Sequence, residues 1–338
     1  MSEATIEEAR ARWNGARFVH GSDKGAYESW FQRANHPSRP LAFWIRYTIF
    51  SPRGRPADAI GELWAVFFDG EKQRVVAVKE EHPLSECRFA GRGLDAHVAS
   101  AHLDQAGLSG SARRGEHSIG WDLRFASDAP PLLLLPERLY EGGFPKAKAL
   151  VGAPLARYDG SLEVDGERVA IEGWVGSQNH NWGSQHTDRY AWGQVAGFDG
   201  APETFLEVST ARVRVGPLWS PRMTLLVLRH EGRDYALNDV ATALRADGRY
   251  DYFTWKFSSR AGDAAVEGRI DAPRERFVGL PYDNPPGGRK TCLNTKLARC
   301  ALTLRREGRA PVELRTEHRA AFEILTDRGD HGVSVLGV

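Results

Sequence analysis

The chain has very little cysteine, no long apolar run, no excess of either charge and little helical periodicity. Its three cysteines, Cys87, Cys292 and Cys300, show no Cys-x-x-Cys spacing, and any disulfide scheme leaves one over. That excludes a disulfide-stapled scaffold and fits a reducing cytoplasm. The longest apolar stretch, 130–136, is bracketed by prolines and falls far short of the ~20 residues that span a bilayer, so no transmembrane segment is expected. Lys plus Arg total 45 against 44 for Asp plus Glu, a net charge of +1, which removes the electrostatic case for a nucleic-acid partner. Residues 1–10 are polar and acidic and lack the apolar core of a secretion signal, which gives a cytoplasmic expectation. There is no G-x-S-x-G elbow, and the turn-rich loop 281–296, with its Gly287-Gly288 pair, lacks the G-x-x-x-x-G-K-[ST] order. Triad hydrolysis and a phosphate cradle are both disfavoured.

What the chain has in abundance is period-two alternation of aromatic and β-branched residues with polar ones. Residues 41–50 put Phe43, Ile45, Tyr47 and Ile49 on one face and Trp44, Arg46 and Thr48 on the other. Residues 61–70 are similarly rich in strand formers and end in Asp69-Gly70, a hairpin-turn dipeptide, so the two segments are expected to pair. Further strands are predicted as far as 312–325, with turns at Asp165-Gly166, Asp199-Gly200 and Glu231-Gly232 between them. Helix is predicted only over 5–13 and 26–34. The fold class is therefore all-β. A length of 338 residues exceeds one ordinary hydrophobic core, which predicts two domains. The Pro- and Leu-rich stretch 130–154 breaks the alternation and reads as a linker or a loop over a pocket. The expected units are 14–150 and 155–338. A weak internal echo, in which a Trp-bearing strand runs into Phe-Asp-Gly at both 62–70 and 190–200, supports two similar units.

The densest chemistry lies between Gly173 and Gly197. Gln178, Asn179, His180, Asn181, Gln185, His186, Asp188 and Arg189 are packed there among Trp174, Trp182, Tyr190 and Trp192. An unpaired buried polar group costs about 1–3 kcal/mol, so such a cluster implies a dedicated hydrogen-bond network that braces a fold or binds a ligand.

The runs Gly120-Trp-Asp-Leu-Arg-Phe125, Gly160-Ser-Leu-Glu-Val-Asp-Gly166, Gly173-Trp-Val-Gly176, His180-Asn-Trp-Gly183 and the early Tyr27-Glu-Ser-Trp-Phe31 stand in a familiar order. It resembles the two-domain lipocalin-like family of the AttH proteins and the carotenoid hydratases (hydroxyneurosporene synthases). More distantly it is similar to the fungal lipocalin-like Diels-Alderases and tocopherol cyclase. The resemblance implies two consecutive antiparallel β-barrel or sandwich domains with little helix. It also implies activities that hydrate, cyclise or fold up hydrophobic isoprenoid and polyketide substrates. One departure stands out: where hydratase-like members carry an acid, this chain has Asn179-His180-Asn181-Trp182.

Candidate site residues follow from the chemistry. His180 suits proton transfer, and equally suits a core position held by a neighbouring amide or carbonyl. His186 and Asp188 lie close enough in sequence to pair, with backbone capping the alternative for Asp188. Glu62 is the candidate for the displaced acid, since desolvation in a cavity would raise its pKa. Arg46, inside an apolar strand, must reach solvent, pair with a carboxylate such as Glu62 or meet an anionic ligand, and a structural pair is the expectation. Gln178, Asn179, Asn181, Trp182, His186, Tyr190, Trp192 and Trp64 are expected to line a ligand site, with rings able to stabilise a cation. His180, His186, Asp188 and His117 match no familiar metal spacing, so no metal and no cofactor are expected. The expected partner is a hydrophobic small molecule bound near the domain junction, either transformed by a hydratase, cyclase or isomerase or held by a non-catalytic carrier or sensor. A glycoside-cleaving sandwich would need two carboxylates, and the motif offers one. The sequence carries no signal of oligomeric state.

Overall fold

Antiparallel strands usually cover one face and show the other to water. In this computed structural model, which describes residues 3–336, the central strands are covered on both. Every residue from Leu41 to Ile49 is buried. Phe43, Ile45, Tyr47 and Ile49 enter a core with Trp30, Leu103, Trp121 and Tyr158. Trp44, on the opposite face, joins Trp64, Val66 and Phe68 against Leu280, Tyr282, Leu297 and Leu325 from the second half of the chain.

Two large antiparallel sheets result. The first begins with Arg74–Pro83, Ile60–Asp69, Leu41–Ser51 and Ala26–Asn35 as neighbours. It continues through Glu167–Gly183, Ala147–Val164, His117–Ala126 and Gly107–Arg114 to three short strands. The sheet curls into a nearly closed barrel, and across the gap the Arg113 amide donates to Glu80 Oε1 at 2.8 Å. The second sheet is built around Met223–His230, Ala201–Arg212, Arg189–Phe198, Val312–Thr326 and Arg289–Arg306 as successive neighbours. It wraps a separate core of Leu206, Leu226, Trp255 and Phe322. The all-β, lipocalin-like expectation holds, as does the pairing of Leu41–Ser51 with Ile60–Asp69. Among the described residues no helix is long and apolar enough to cross a membrane.

Two expectations are corrected. Residues 26–34 form a strand, Ala26–Asn35, not a helix. Its Trp30 and Ala34 enter the first core, while Arg33 and Asn35 on the other face bond to the second half of the chain. A site buried on two opposite sides overrides local helix preference. The expected boundary at 150–155 falls inside strand Ala147–Val164, and the Asn-His-Asn-Trp motif belongs to the first sheet, not the second. The long hairpin that turns at Asp165-Gly166 returns to pair Glu167–Gly183 with Ala26–Asn35, and the chain crosses to the second sheet only over 184–188. Residues 337–338 of the expected second unit lie outside the described residues. The helix Glu3–Asn14 agrees with the prediction.

At Gly176 the motif strand leaves no room for a side chain beside the strand Ala26–Asn35. A Cβ there would sit 1.7 Å from the Arg33 carbonyl oxygen and 2.6 Å from the Ala34 Cα. Both obstacles are backbone, so neither can rotate aside. Gly176→Ala is expected to cost about 3 kcal/mol or more, read as a lower urea midpoint at unchanged m-value.

Candidate functional site

The same alternation that fills the two cores points the other set of side chains at the space between the sheets. Ala191, Val195, Leu206 and Val208 face inward. Their neighbours Tyr190, Trp192, Glu207 and Ser209 face the first sheet, which answers with Tyr27, Phe31, Trp44 and Arg46. These outer faces enclose a cavity of about 270 Å³. The Pro- and Leu-rich stretch forms one wall through Leu134, Leu135, Leu139 and Phe144, so it serves as the loop over a pocket. Tyr140 pins that loop, donating to the Ala149 carbonyl at 2.6 Å and accepting from the Leu135 amide at 3.1 Å.

A polar chain crosses between the sheets at the cavity wall. Gln194 Oε1 accepts from Arg33 Nε at 2.6 Å and from Ser177 Oγ at 2.6 Å, which fixes the amide orientation. Gln194 Nε2 therefore donates to Asn179 Oδ1 at 2.8 Å and to Glu207 Oε2 at 2.7 Å. The other Glu207 oxygen accepts from Trp192 Nε1 at 2.7 Å. Desolvation raises the Glu207 pKa from 4.5 to about 7; the bonds from Trp192 and Gln194 and the charge of Arg33 oppose the rise, and Glu323 adds to it. Glu323 is itself held by Lys296 Nζ at 2.7 Å and Asn294 Nδ2 at 2.9 Å.

The sequence-predicted residues divide into two groups. Asn179, Asn181, His186, Tyr190 and Trp192 line the cavity. His186 is stacked on Tyr27, with ring centroids 4.0 Å apart, and on Tyr282 at 5.5 Å, while its amide donates to Asn284 Oδ1 at 2.9 Å. Asn181 accepts from Ser29 Oγ. His180 also borders the cavity, but its ring is engaged elsewhere, and the remaining candidates lie outside the lining. The His180 ring sits on the opposite side of the motif strand, stacked on Trp30 at 4.8 Å and beside Trp182 at 4.7 Å. Its Nδ1–H donates to the Trp13 carbonyl at 2.7 Å, and Nε2 pairs with Glu28 Oε1 at 2.8 Å. Both nitrogens are thus spent on tying the N-terminal helix to the sheet, the core position that the sequence left open. Gln178 does similar work through reciprocal bonds with Asn14.

Trp182 packs with Trp13, Leu135 and Tyr140 beneath the Arg17 guanidinium, 4.1 Å from the ring. Glu62 is taken by Lys79 Nζ at 2.8 Å and Trp64 Nε1 at 3.0 Å, so it is neither a free acid nor the partner of Arg46. Trp64 packs edge-on against Tyr282 in the apolar seam between the sheets. Asp188 accepts from the Arg214 amide at 2.8 Å, the capping role. The three cysteines are free thiols.

Sequence reasoning missed Glu207, Arg33 and Tyr27. Their signal was present: Thr204-Phe-Leu-Glu-Val208 and Ser29-Trp-Phe-Gln-Arg33 each set a charge inside an aromatic or aliphatic strand. A group that could hold a metal does exist away from the cavity. Asp95, His97 and His102 bring ligand atoms within 4.8 Å of one another, but Arg88 also contacts Asp95 at 3.0 Å and opposes a cation there.

Burial, with the nearby positive charges of Arg46 and Lys290, lowers the His186 pKa from 6.5 to about 3. The neutral ring therefore contributes stability above pH 6.5 that is lost as pH falls towards 3. His186→Phe, which keeps the stacking, is expected to resist acid better than the parent. The gap in unfolding free energy should widen by about 2–3 kcal/mol between pH 7 and 4.5, measured by urea titration.

Comparison with known proteins agrees with this architecture. A 26% identical protein of Mycobacterium tuberculosis, itself uncharacterised, matches over 311 residues, 88% of this chain and 85% of its own. Kievitone hydratase from Nectria haematococca shares the fold with a TM-score of 0.60 at 12% identity, covering 93% of this chain and 94% of its own. A protein of Nitrosomonas europaea described as an AttH does so with a TM-score of 0.57 at 12% identity, over 92% and 96%. The family model described as tocopherol cyclase-like matches residues 144–325, which run from the cavity's covering loop to the penultimate residue of the last strand. Spanning more than half of the chain, that match shows that the protein belongs to the tocopherol cyclase-like family.

Proposed function

We propose that the protein binds a hydrophobic small molecule, isoprenoid, polyene or fatty, between the two β domains and hydrates, cyclises or isomerises it by acid–base chemistry. One observation carries this reading: Glu207 is a buried carboxyl on the wall of a largely apolar cavity, with a pKa raised to about 7 by desolvation. A proton donor of that pKa holds its proton at neutral pH yet releases it readily. It supplies the acid that the Asn179-His180-Asn181-Trp182 motif lacks. Membership of a family named for a cyclase, and a fold shared with a hydratase, support a catalytic reading. Three free thiols support a cytoplasmic setting.

In the proposed step the Glu207 O–H bond breaks as its proton forms a C–H bond with one carbon of a substrate double bond, whose π electrons supply the pair. The cation left on the adjacent carbon lies among the faces of Phe31, Trp44 and Trp192. The Glu207 carboxylate then recovers a proton, either from a neighbouring carbon, giving an isomer, or from water or a substrate hydroxyl that has attacked the cation. The Gln194 and Trp192 donors hold both carboxyl oxygens in place through the cycle.

The ligand is to be identified by mass spectrometry of molecules co-purifying with the protein, and then used as substrate. Glu207→Gln, nearly isosteric, is expected to lower kcat by about 10²- to 10⁴-fold with little change in KM. The parent rate should fall as pH rises through about 7, because only the protonated carboxyl donates. Folding raises this pKa, so its stabilising contribution is complete below 4.5 and lost as pH rises through about 7; the parent should lose stability relative to the variant across that window. Undiminished turnover by Glu207→Gln would exclude the acid role. Tight binding with no turnover in the parent would make the protein a carrier.

A further inference from the structure

Arg46 is a buried cation without a counter-ion. Its side chain rises from the outer face of strand Leu41–Ser51 into the cavity, and the residue is 4% exposed. Among the described residues it makes no hydrogen bond or ion pair, and its Nε is a buried donor with no partner. The carboxylates nearest in charge are committed elsewhere, Glu62 to Lys79 and Trp64, Glu323 to Lys296 and Asn294. What surrounds the guanidinium is aromatic: it lies 4.8 Å from the centre of the Tyr282 ring and 6.0 Å from that of Trp44. Ring faces offset part of the desolvation of a cation, but they give its five N–H donors no lone pair to meet.

Arg46 is not alone on its strand. At the successive outward positions 44, 46 and 48, Trp44 Nε1, Arg46 Nε and Thr48 Oγ1 are all buried without a hydrogen-bond partner. Folded chains leave few such atoms, and two of these three residues, Trp44 and Arg46, line the cavity. Two other buried cations at this seam have carboxylate partners, Lys79 with Glu62 and Lys296 with Glu323, and Arg33 has the side-chain oxygens of Gln194 and Asn35. Among the buried side-chain atoms that lack a partner, those of Trp44 and Arg46 are the ones that line the cavity.

We propose that Arg46 anchors a carboxylate at the head of an otherwise apolar ligand, with Trp44 Nε1 as a second donor, so that the molecule taken up is an amphipathic acid and not a neutral hydrocarbon. The planar guanidinium fork matches a carboxylate through two parallel bonds, and exclusion of water strengthens both. With the head fixed at Arg46, the tail is directed along the aromatic wall, which gives the cavity a defined polarity. This inference rests on the cavity as a binding site but not on Glu207 as the acid.

The test compares decanoate with decanamide, a neutral molecule of nearly the same shape, by isothermal titration of the full chain. The parent is expected to bind decanoate about ten- to a hundredfold more tightly. Arg46→Met should lose that preference by weakening decanoate alone, and Arg46→Lys should keep part of it. Arg46→Met is also expected to melt at or above the parent temperature without ligand, because it removes an unpaired buried charge. A structural arginine would give a lower melting temperature. Equal affinities for the two probes in the parent, or a preference that survives Arg46→Met, would overturn the anchor and leave the cavity reading standing. Binding of neither probe would overturn both. Glu207→Gln should retain the preference for decanoate, so failure of the acid role is read separately.

Discussion

The organising constraint is that the two sheets are pressed together by their outer faces, so hydrogen-bonding groups at that seam must find partners across it because water cannot supply them. Arg33 of the first sheet reaches Gln194 of the second, and Asn35 donates to the carbonyls of Lys296 at 2.7 Å and His318 at 3.1 Å. Each of these bonds also fixes where one sheet sits against the other, since sliding the faces would leave both partners buried and unpaired. The cavity is the part of the seam where facing side chains do not meet. Its shape follows from the distance at which the polar cross-bonds and the apolar cluster around Trp44, Trp64, Tyr282 and Leu325 hold the sheets apart.

The most eye-catching histidine turns out to be a fastener. His180, Gln178 and Glu28 gather the helix Glu3–Asn14 and the residues after it onto the barrel, with Glu28 also accepting from the amides of Arg17 at 2.9 Å and Phe18 at 2.8 Å. The motif strand therefore has two duties. Its even-numbered residues 178, 180 and 182 secure the N-terminal segment, while residues 177 and 179 join the inter-sheet network and 181 lines the cavity. Polarity alone does not tell the duties apart, because both sides of this strand carry amides among aromatic rings.

Much of the architecture could be read from alternation alone. The strands, the turn dipeptides and the covering loop stand where residue order put them, and the family resemblance named the fold. The change of sheet could not be read so easily. The hairpin at Asp165-Gly166 looks like the start of a new unit, and only pairing of Glu167–Gly183 with the distant strand Ala26–Asn35 assigns it to the first. The site was half legible for a related reason. Asn179, His186, Tyr190 and Trp192 were visible as a cluster in sequence, whereas Glu207 reaches Gln194 only through the register of Arg189–Phe198 with Ala201–Arg212. Glu62 attracted attention as an acid in an apolar strand and found an equally buried lysine beside it, a pairing set by a third strand.

The division of the cavity wall between both halves of the chain has a further consequence. Each half packs its own core with large side chains, Trp30, Trp121 and Tyr158 in one and Trp255 and Phe322 in the other, and the cavity lies between them. A change of shape in that space is therefore shared by two stretches of sequence more than a hundred residues apart, Tyr27 and Arg46 in one and Trp192 and Glu207 in the other. Swapping one half for that of a distant relative would keep both cores and lose the fit of the wall that the two halves build together.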